Sequence, residues 1–276
     1  MISLTRHRTD AAIHAGFKDP EKTRFERELL EDQRRIRRHE IDKHGFQSGR
    51  WKPSKNQLKI ETNDKCAYCE APTSLVAYGD VEHYRPKSIY WWLAYNYDNY
   101  LVSCQLCNQK FKKAKFPVRN NRLRAPRVAK NSTDAHLDNL AGTLGPDPLN
   151  GAALQAFRQL HEAERPLLLN PYIDRPEDFY TWRADDTLQE VELVLLPTNP
   201  SSTDFVQAAR DDYGLNRQEL RNERFKVYVA FRTFKQILND PGISAATRQM
   251  VQEQIERMKA DNAPFAGMIR FFDPLL

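Results

Sequence analysis

The sequence predicts an α+β protein in which a compact cysteine-bearing unit lies between an N-terminal helix and a mostly helical C-terminal half. Three observations predict it. All four cysteines fall in two CxxC pairs, Cys66/Cys69 in KCAYCE and Cys104/Cys107 in SCQLCN. Segments on either side of them carry helical composition and spacing, and one stretch, FYTWRADDTLQEVELVLLP, carries the alternation and turn residues of a hairpin.

With 276 residues, the chain has room for one large or two modest domains. A composition of 40% hydrophobic and 29% charged residues excludes a disordered chain and fits a soluble globular one. No apolar run approaches the roughly 18–20 residues of a membrane helix, and MISLTRHRTDAAIHAG lacks the apolar block of a signal peptide. A cytoplasmic protein with no membrane attachment is therefore expected. The expected divisions are an arm at 1–50, a cysteine-bearing module at 51–125 and a helical domain at 126–276.

Residues 19–44 read as a helix, with Pro20 in its first turn and Gly45 past its end. Its apolar stripe of Phe25, Leu29, Ile36 and Ile41 is thin, so the helix must lean on other parts of the chain. Arg34, Arg35, Arg37 and Arg38 are best read as its solvated face. From Trp51 to about Pro117 the elements are short and aromatic, and Tyr90, Trp91, Trp92, Tyr95, Tyr97 and Tyr100 are expected to be core. Residues 120–148 read as a loop. A helix over GAALQAFRQLHEAE, the hairpin turning near Asp185 and Asp186, and helices over 201–216, 217–240 and 244–262 complete the chain. Leu220, Val227, Phe231, Phe234 and Leu238 mark the buried stripe of the second of those three.

The net charge of +5 is unevenly distributed. Between Asn99 and Thr133 there is no Asp or Glu, while nine lysines and arginines fall inside, from Lys110 to Lys130. Such a one-signed segment is either a solvated basic face or a phosphate-binding surface.

Paired cysteines without a secretion signal argue for a metal rather than disulfides. Two CxxC turns present four thiolates to one tetrahedral Zn²⁺, which leaves no open position and makes that zinc structural. The 34 residues between the pairs exceed the roughly 15–20 of a simple zinc ribbon, so the intervening segment must fold as more than a turn.

Inside that gap stand Glu82-His83 and Asp98-Asn99, and Asn108 follows the last cysteine. The ordered set CAYCE, VEHYRPKS, YDNYLVSCQLCNQK and the FP of KAKFP resembles the HNH endonuclease family, in the subset whose ββα-metal unit is braced by a four-cysteine zinc. It covers about Lys65 to Pro117. The resemblance implies a ββα-metal fold and DNA phosphodiester hydrolysis, with His83 at the family's first His, Asn99 at its middle Asn and Asn108 at its last position. Glu82 stands where the family more often has Asp, which makes the carboxylate arm one carbon longer. The wider pattern, with PLLLNPYIDRPEDF and YGLNRQELRNER downstream, is similar to bacterial antiphage HNH proteins. These include the nuclease components of Septu and some retron-associated systems, which implies an ATPase partner.

The chemistry is consistent with those positions. A neutral imidazole near its usual pKa of roughly 6.5 accepts a proton from water at pH 7, the role assigned to His83. A hard ion, Mg²⁺ or Mn²⁺, on Glu82 and the side-chain oxygen of Asn108 would act as a Lewis acid at the phosphate. Glu82 and His83, as strand neighbours, are expected on opposite faces. Asn99 suits a positioning role, as a turn residue or as a hydrogen-bond partner of the loop or imidazole. Arg85 and Lys87 beside His83, and Lys110, Lys112 and Lys113 on a following helix that stops before Pro117, are expected to grip nucleic-acid phosphates. His44, His136 and His161 read as structural or surface residues. Two other functions fit the residues less fully: a zinc-stapled binding module without catalysis, and the same chemistry on RNA.

Overall fold

The computed structural model describes residues 1–73 and 78–276. It is α+β: two separate two-stranded antiparallel sheets are set among helices. Among the described residues no helix is long and apolar enough to cross a membrane.

The N-terminal helix α1 spans Glu21–Arg37, shorter than the sequence implies. It ends because His39 turns into the left-handed region at φ 61°, where the His39 N–H donates to Ile36 O (3.0 Å) and the Glu40 N–H to Arg35 O (3.0 Å). That double closure caps the helix without the glycine expected at position 45. Arg27 and Arg34 on its face pair with Glu31 and Asp134, so these charges hold the fold together. A short helix α2, Lys55–Glu61, follows that the composition did not signal.

β1 (Asp80–His83) pairs with β2 (Tyr100–Ser103), Glu82 opposite Leu101 and His83 opposite Tyr100. β2 is buried along its whole length. A seven-residue π-helix, Leu106–Lys112, comes next and stops at Lys113, whose φ is 51°. The order is thus strand, strand, helix, and the helix ends at Lys112, before Pro117 as expected. The aromatic run between the strands is core as expected, with Tyr90 and Tyr100 fully buried.

The segment expected to be loop contains α3 (Asp134–Leu140), started by Thr133 Oγ1, which accepts from the His136 N–H. α4 (Gly151–Glu164) is capped by Asn150. β3 (Tyr180–Asp185) and β4 (Glu190–Leu195) form the predicted hairpin, its turn held by Asp185 Oδ1 accepting from the N–H groups of Thr187 and Leu188. α5 (Thr203–Asp211), α6 (Gln218–Leu238), α7 (Ala245–Lys259) and α8 (Ala266–Phe272) complete the chain, the last without a sequence signal. One hydrophobic cluster runs from Leu29 through Tyr68, Trp92 and Leu168 to Phe231 and Phe272. It draws on all three expected divisions of the chain, so the cysteine-bearing unit shares its core with the helices around it.

Candidate active site

The four cysteine sulfurs lie within 4.8 Å of one another, with Cys69 Sγ and Cys104 Sγ 3.9 Å apart. Four thiolates around one zinc at about 2.3 Å sit about 3.8 Å from each other, so this cluster can hold a zinc ion. The second CxxC turn is closed by the Cys107 N–H pointing at Cys104 Sγ (3.4 Å).

Four thiolates around Zn²⁺ leave two net negative charges, and an arginine from far along the chain meets them. Arg217 Nη1 donates to Cys107 Sγ (3.5 Å) and Nη2 to Cys69 Sγ (3.7 Å). The segment carrying it is fitted closely. Tyr213 stacks on Tyr68 at 3.9 Å between ring centres, and Gly214, at φ 64°, lies so near Phe111 of the π-helix that a Cβ there would stand 2.5 Å from the ring. Nothing in residue type or spacing tied Arg217 to the cysteines. Arg217→Gln is expected to speed loss of zinc to a chromophoric chelator by about 10–100-fold, the usual cost of removing a hydrogen bond to a metal ligand. Unchanged release would show that the arginine only packs there.

Beside this cluster four elements converge on a cavity of about 580 Å³. β1 supplies Asp80, Glu82 and His83; the following loop Pro86, Lys87 and Ser88; the π-helix Asn108 and Gln109, with Lys113 just past its end; the end of the arm Phe46 and the start of the module Trp51, Lys52 and Lys55. The contribution of this boundary segment has no signal in the sequence. Glu82 and His83, expected on opposite faces, both border this one cavity, as do all four residues of β1.

The His83 Nε2 atom lies 2.9 Å from Ala94 O. A carbonyl only accepts, so Nε2 carries the proton and Nδ1 presents its lone pair. The ring is held edge-on between Trp51 (4.9 Å) and Tyr100 (5.1 Å). Burial, helped by the nearby charge of Lys87, pushes its pKa down to about 3, well below the near-usual value expected, so the imidazole is neutral at pH 7 but a weaker base than an ordinary histidine.

Asn99 holds the loop that supplies Ala94. Its side chain is wholly buried, accepts from the Arg85 N–H (2.8 Å), and donates to Arg85 O (2.9 Å) and Leu93 O (3.2 Å). It thus ties together both ends of the turn between β1 and the residue that orients His83. Asn99→Ala leaves those buried backbone groups unpaired and is expected to cost about 2–4 kcal/mol in urea unfolding. A loss below 1 kcal/mol would remove this positioning role.

Glu82 is buried, and its Oε1 lies 2.5 Å from Lys112 Nζ. The contact is a short, buried ion pair, so Lys112 already occupies Oε1. Burial raises the Glu82 carboxyl above its usual pKa, and Lys112 and Lys87 pull it back only in part. Asn108, half-buried at the start of the π-helix, lines the same cavity.

Two expected phosphate contacts are corrected. Arg85 is fully buried and paired with Glu164 Oε2 at 2.7 Å, with His161 at 3.3 Å on its other side, so its guanidinium fastens the loop to α4 instead of facing a ligand. Lys112 is equally buried, held between Glu82 and His83 O (3.1 Å), because the wider π turn aims it inward under the hairpin. His161 is structural, as expected. Lys87 and Lys113 do border the cavity, whereas Lys110 is exposed outside its lining.

No family model matches this chain, and no solved structure matches it. Among curated proteins it is similar to Septu protein PtuB of Bacillus mycoides (strain KBAB4). The two are 26% identical over 232 residues, which take in 79% of this chain. They cover 65% of PtuB, so the chain spans somewhat less than two thirds of that protein's length.

Proposed function

We propose that this chain is a metal-dependent HNH endonuclease that hydrolyses DNA phosphodiester bonds, acting in bacterial antiphage defence beside an ATPase partner. The observation that carries the reading is the imidazole of His83, its Nε2 fixed on Ala94 O and its Nδ1 left as a lone pair at the wall of a lysine-rich cavity. The strand–strand–helix order against the four cysteines supports the HNH part of the reading. Similarity to Septu protein PtuB supports the defence setting and, with it, a partner.

In this mechanism His83 Nδ1 takes a proton from water while the water oxygen bonds to phosphorus and the bond from phosphorus to the leaving oxygen breaks. The carboxylate of Glu82, which Lys112 holds at Oε1, and the amide oxygen of Asn108 are oxygen donors bordering the same cavity, and they would hold a hard oxygen-binding cation there. A bound Mg²⁺ or Mn²⁺ supplies Lewis-acid stabilisation of the phosphate oxygens and the departing alkoxide. Lys87 and Lys113 offer positive charge to the substrate's phosphates.

One feature favours a rival. The buried Glu82–Lys112 pair fastens helix to hairpin and would do so equally in a zinc-stapled binding module without catalysis. The deciding experiment incubates supercoiled DNA and matched RNA with Mg²⁺, Mn²⁺ or EDTA, using the chain alone and in any ATPase complex copurified from the native host. DNA cleavage that EDTA abolishes is expected. Binding without cleavage in every arm would leave only the module, and cleavage of RNA alone would reassign the substrate.

A further inference from the structure

Outside the cavity, the acid-free basic segment takes a definite course. Residues 119–131 form neither helix nor strand, yet they are fastened along their length. At one end the Arg119 N–H donates to Arg165 O and the Leu123 N–H to Glu164 Oε1; at the other, Arg38 Nε donates to Lys130 O (2.7 Å) and Arg34 Nη1 to Ser132 O (3.0 Å). Val128 is buried between them. Lys115 and Arg119, at the start of the strap, are paired with Asp212 and Asp204. Arg122, Arg124, Arg127 and Lys130 are exposed and enter no ion pair among the described residues.

One end of this strap shares a partner with a residue close in sequence to the cavity lining, and the other is bonded to a residue eight positions before it. Glu164, which holds Leu123, also accepts from the hydroxyl of Tyr90, two residues past cavity-lining Ser88. Arg38 leads within eight residues to cavity-lining Phe46, and His44 between them stacks on both Phe46 and Trp91.

We infer that residues 122–130 are a second nucleic-acid contact, a track for the phosphate backbone of the substrate beyond the scissile bond. This rests on the nuclease reading and extends it to how the polymer is held. Four cations strung over eight steps reach at most about 26–29 Å when extended. A strap of that reach runs along up to nearly one turn of duplex, about 34 Å, on which phosphates repeat. Their backbone is already fixed, so binding sacrifices little further order, and a polyanion relieves their mutual repulsion. With no base-reading geometry, the track contributes affinity and salt dependence rather than sequence preference.

The test measures binding of a 30-base-pair duplex across a salt series, in a His83→Ala background that prevents cutting. It compares that protein with one also carrying Arg122→Gln, Arg124→Gln, Arg127→Gln and Lys130→Gln. Each phosphate contact contributes about 0.9 to the slope of log K against log[salt], so the fourfold variant is expected to lose about 3–4 from the slope. The pair Arg124→Gln/Arg127→Gln should lose about half as much, which covers the case in which the fourfold variant folds poorly. In the cutting-competent background, kcat on saturating long DNA is expected to stay unchanged while KM rises at least about tenfold. An unchanged slope in a protein that still binds and cuts DNA overturns the track and leaves the nuclease reading intact. An unchanged slope together with loss of the copurifying partner also overturns it, and shows the strap meeting an acidic protein surface. A wild-type chain that neither binds nor cuts nucleic acid overturns both readings.

Discussion

Replacing His83 with alanine is expected to lower the rate of DNA cleavage by about 10²–10⁴-fold, the range for loss of a positioned general base. DNA affinity should change little, because the lysines that border the cavity remain. The expectation follows from one hydrogen bond and one vacancy: Nε2 is committed to Ala94 O, and Nδ1 is left to take the proton. The substitution also removes an aromatic ring that Trp51 and Tyr100 hold edge-on, so thermal melting must accompany the assay. His83→Asn fills most of the same space without a base and should be as inactive as the alanine variant. Plasmid cleavage with Mg²⁺ or Mn²⁺ at wild-type rate in either folded variant would end the assignment.

Cys104→Ser is expected to be the most damaging change to stability. The four sulfurs hold together two turns from either side of the β1–β2 hairpin, and zinc bound in such clusters contributes apparent free energies of about 10–16 kcal/mol in small zinc domains. Losing even a third of that exceeds what most single substitutions do, and for a chain of this size it corresponds to a fall in Tm of about 10 °C or more. Native protein purified without chelator should carry about one zinc per chain, and the variant much less. Equal melting temperatures, or native protein with no zinc, would show that the thiols are only packed together. Prolonged dialysis against a strong chelator should reproduce the variant's behaviour, since it removes the same constraint without touching the sequence.

What could be read from the sequence was what short spacing controls. CxxC turns oblige two sulfurs to face one way, and the gathering of all four is found; the hairpin around Asp185 is declared by its own turn residues. Asn99 reads as a turn residue or as a hydrogen-bond partner of the loop or the imidazole, and its three buried hydrogen bonds all go to the backbone of the loop. What stayed hidden depends on partners distant in sequence or on local winding. Arg85 looked like a phosphate contact because Glu164, 79 positions away, cannot be seen to meet it. Lys112 was misjudged because an ordinary α-helical period does not aim it under the hairpin as the π turn does. Trp51 and Lys55 give no local sign that the start of the module forms a wall of the cavity.

The contact of Arg217 with the cysteines implies an order of events during synthesis. All four thiols exist once residue 107 has been made, and Arg217 comes 110 positions later. At the usual ribosomal pace of about 5–20 residues per second, the cluster waits roughly 5–20 s for its arginine. A zinc ion that binds during that interval is held by the four thiols alone, before Tyr213, Gly214 and Arg217 close over it.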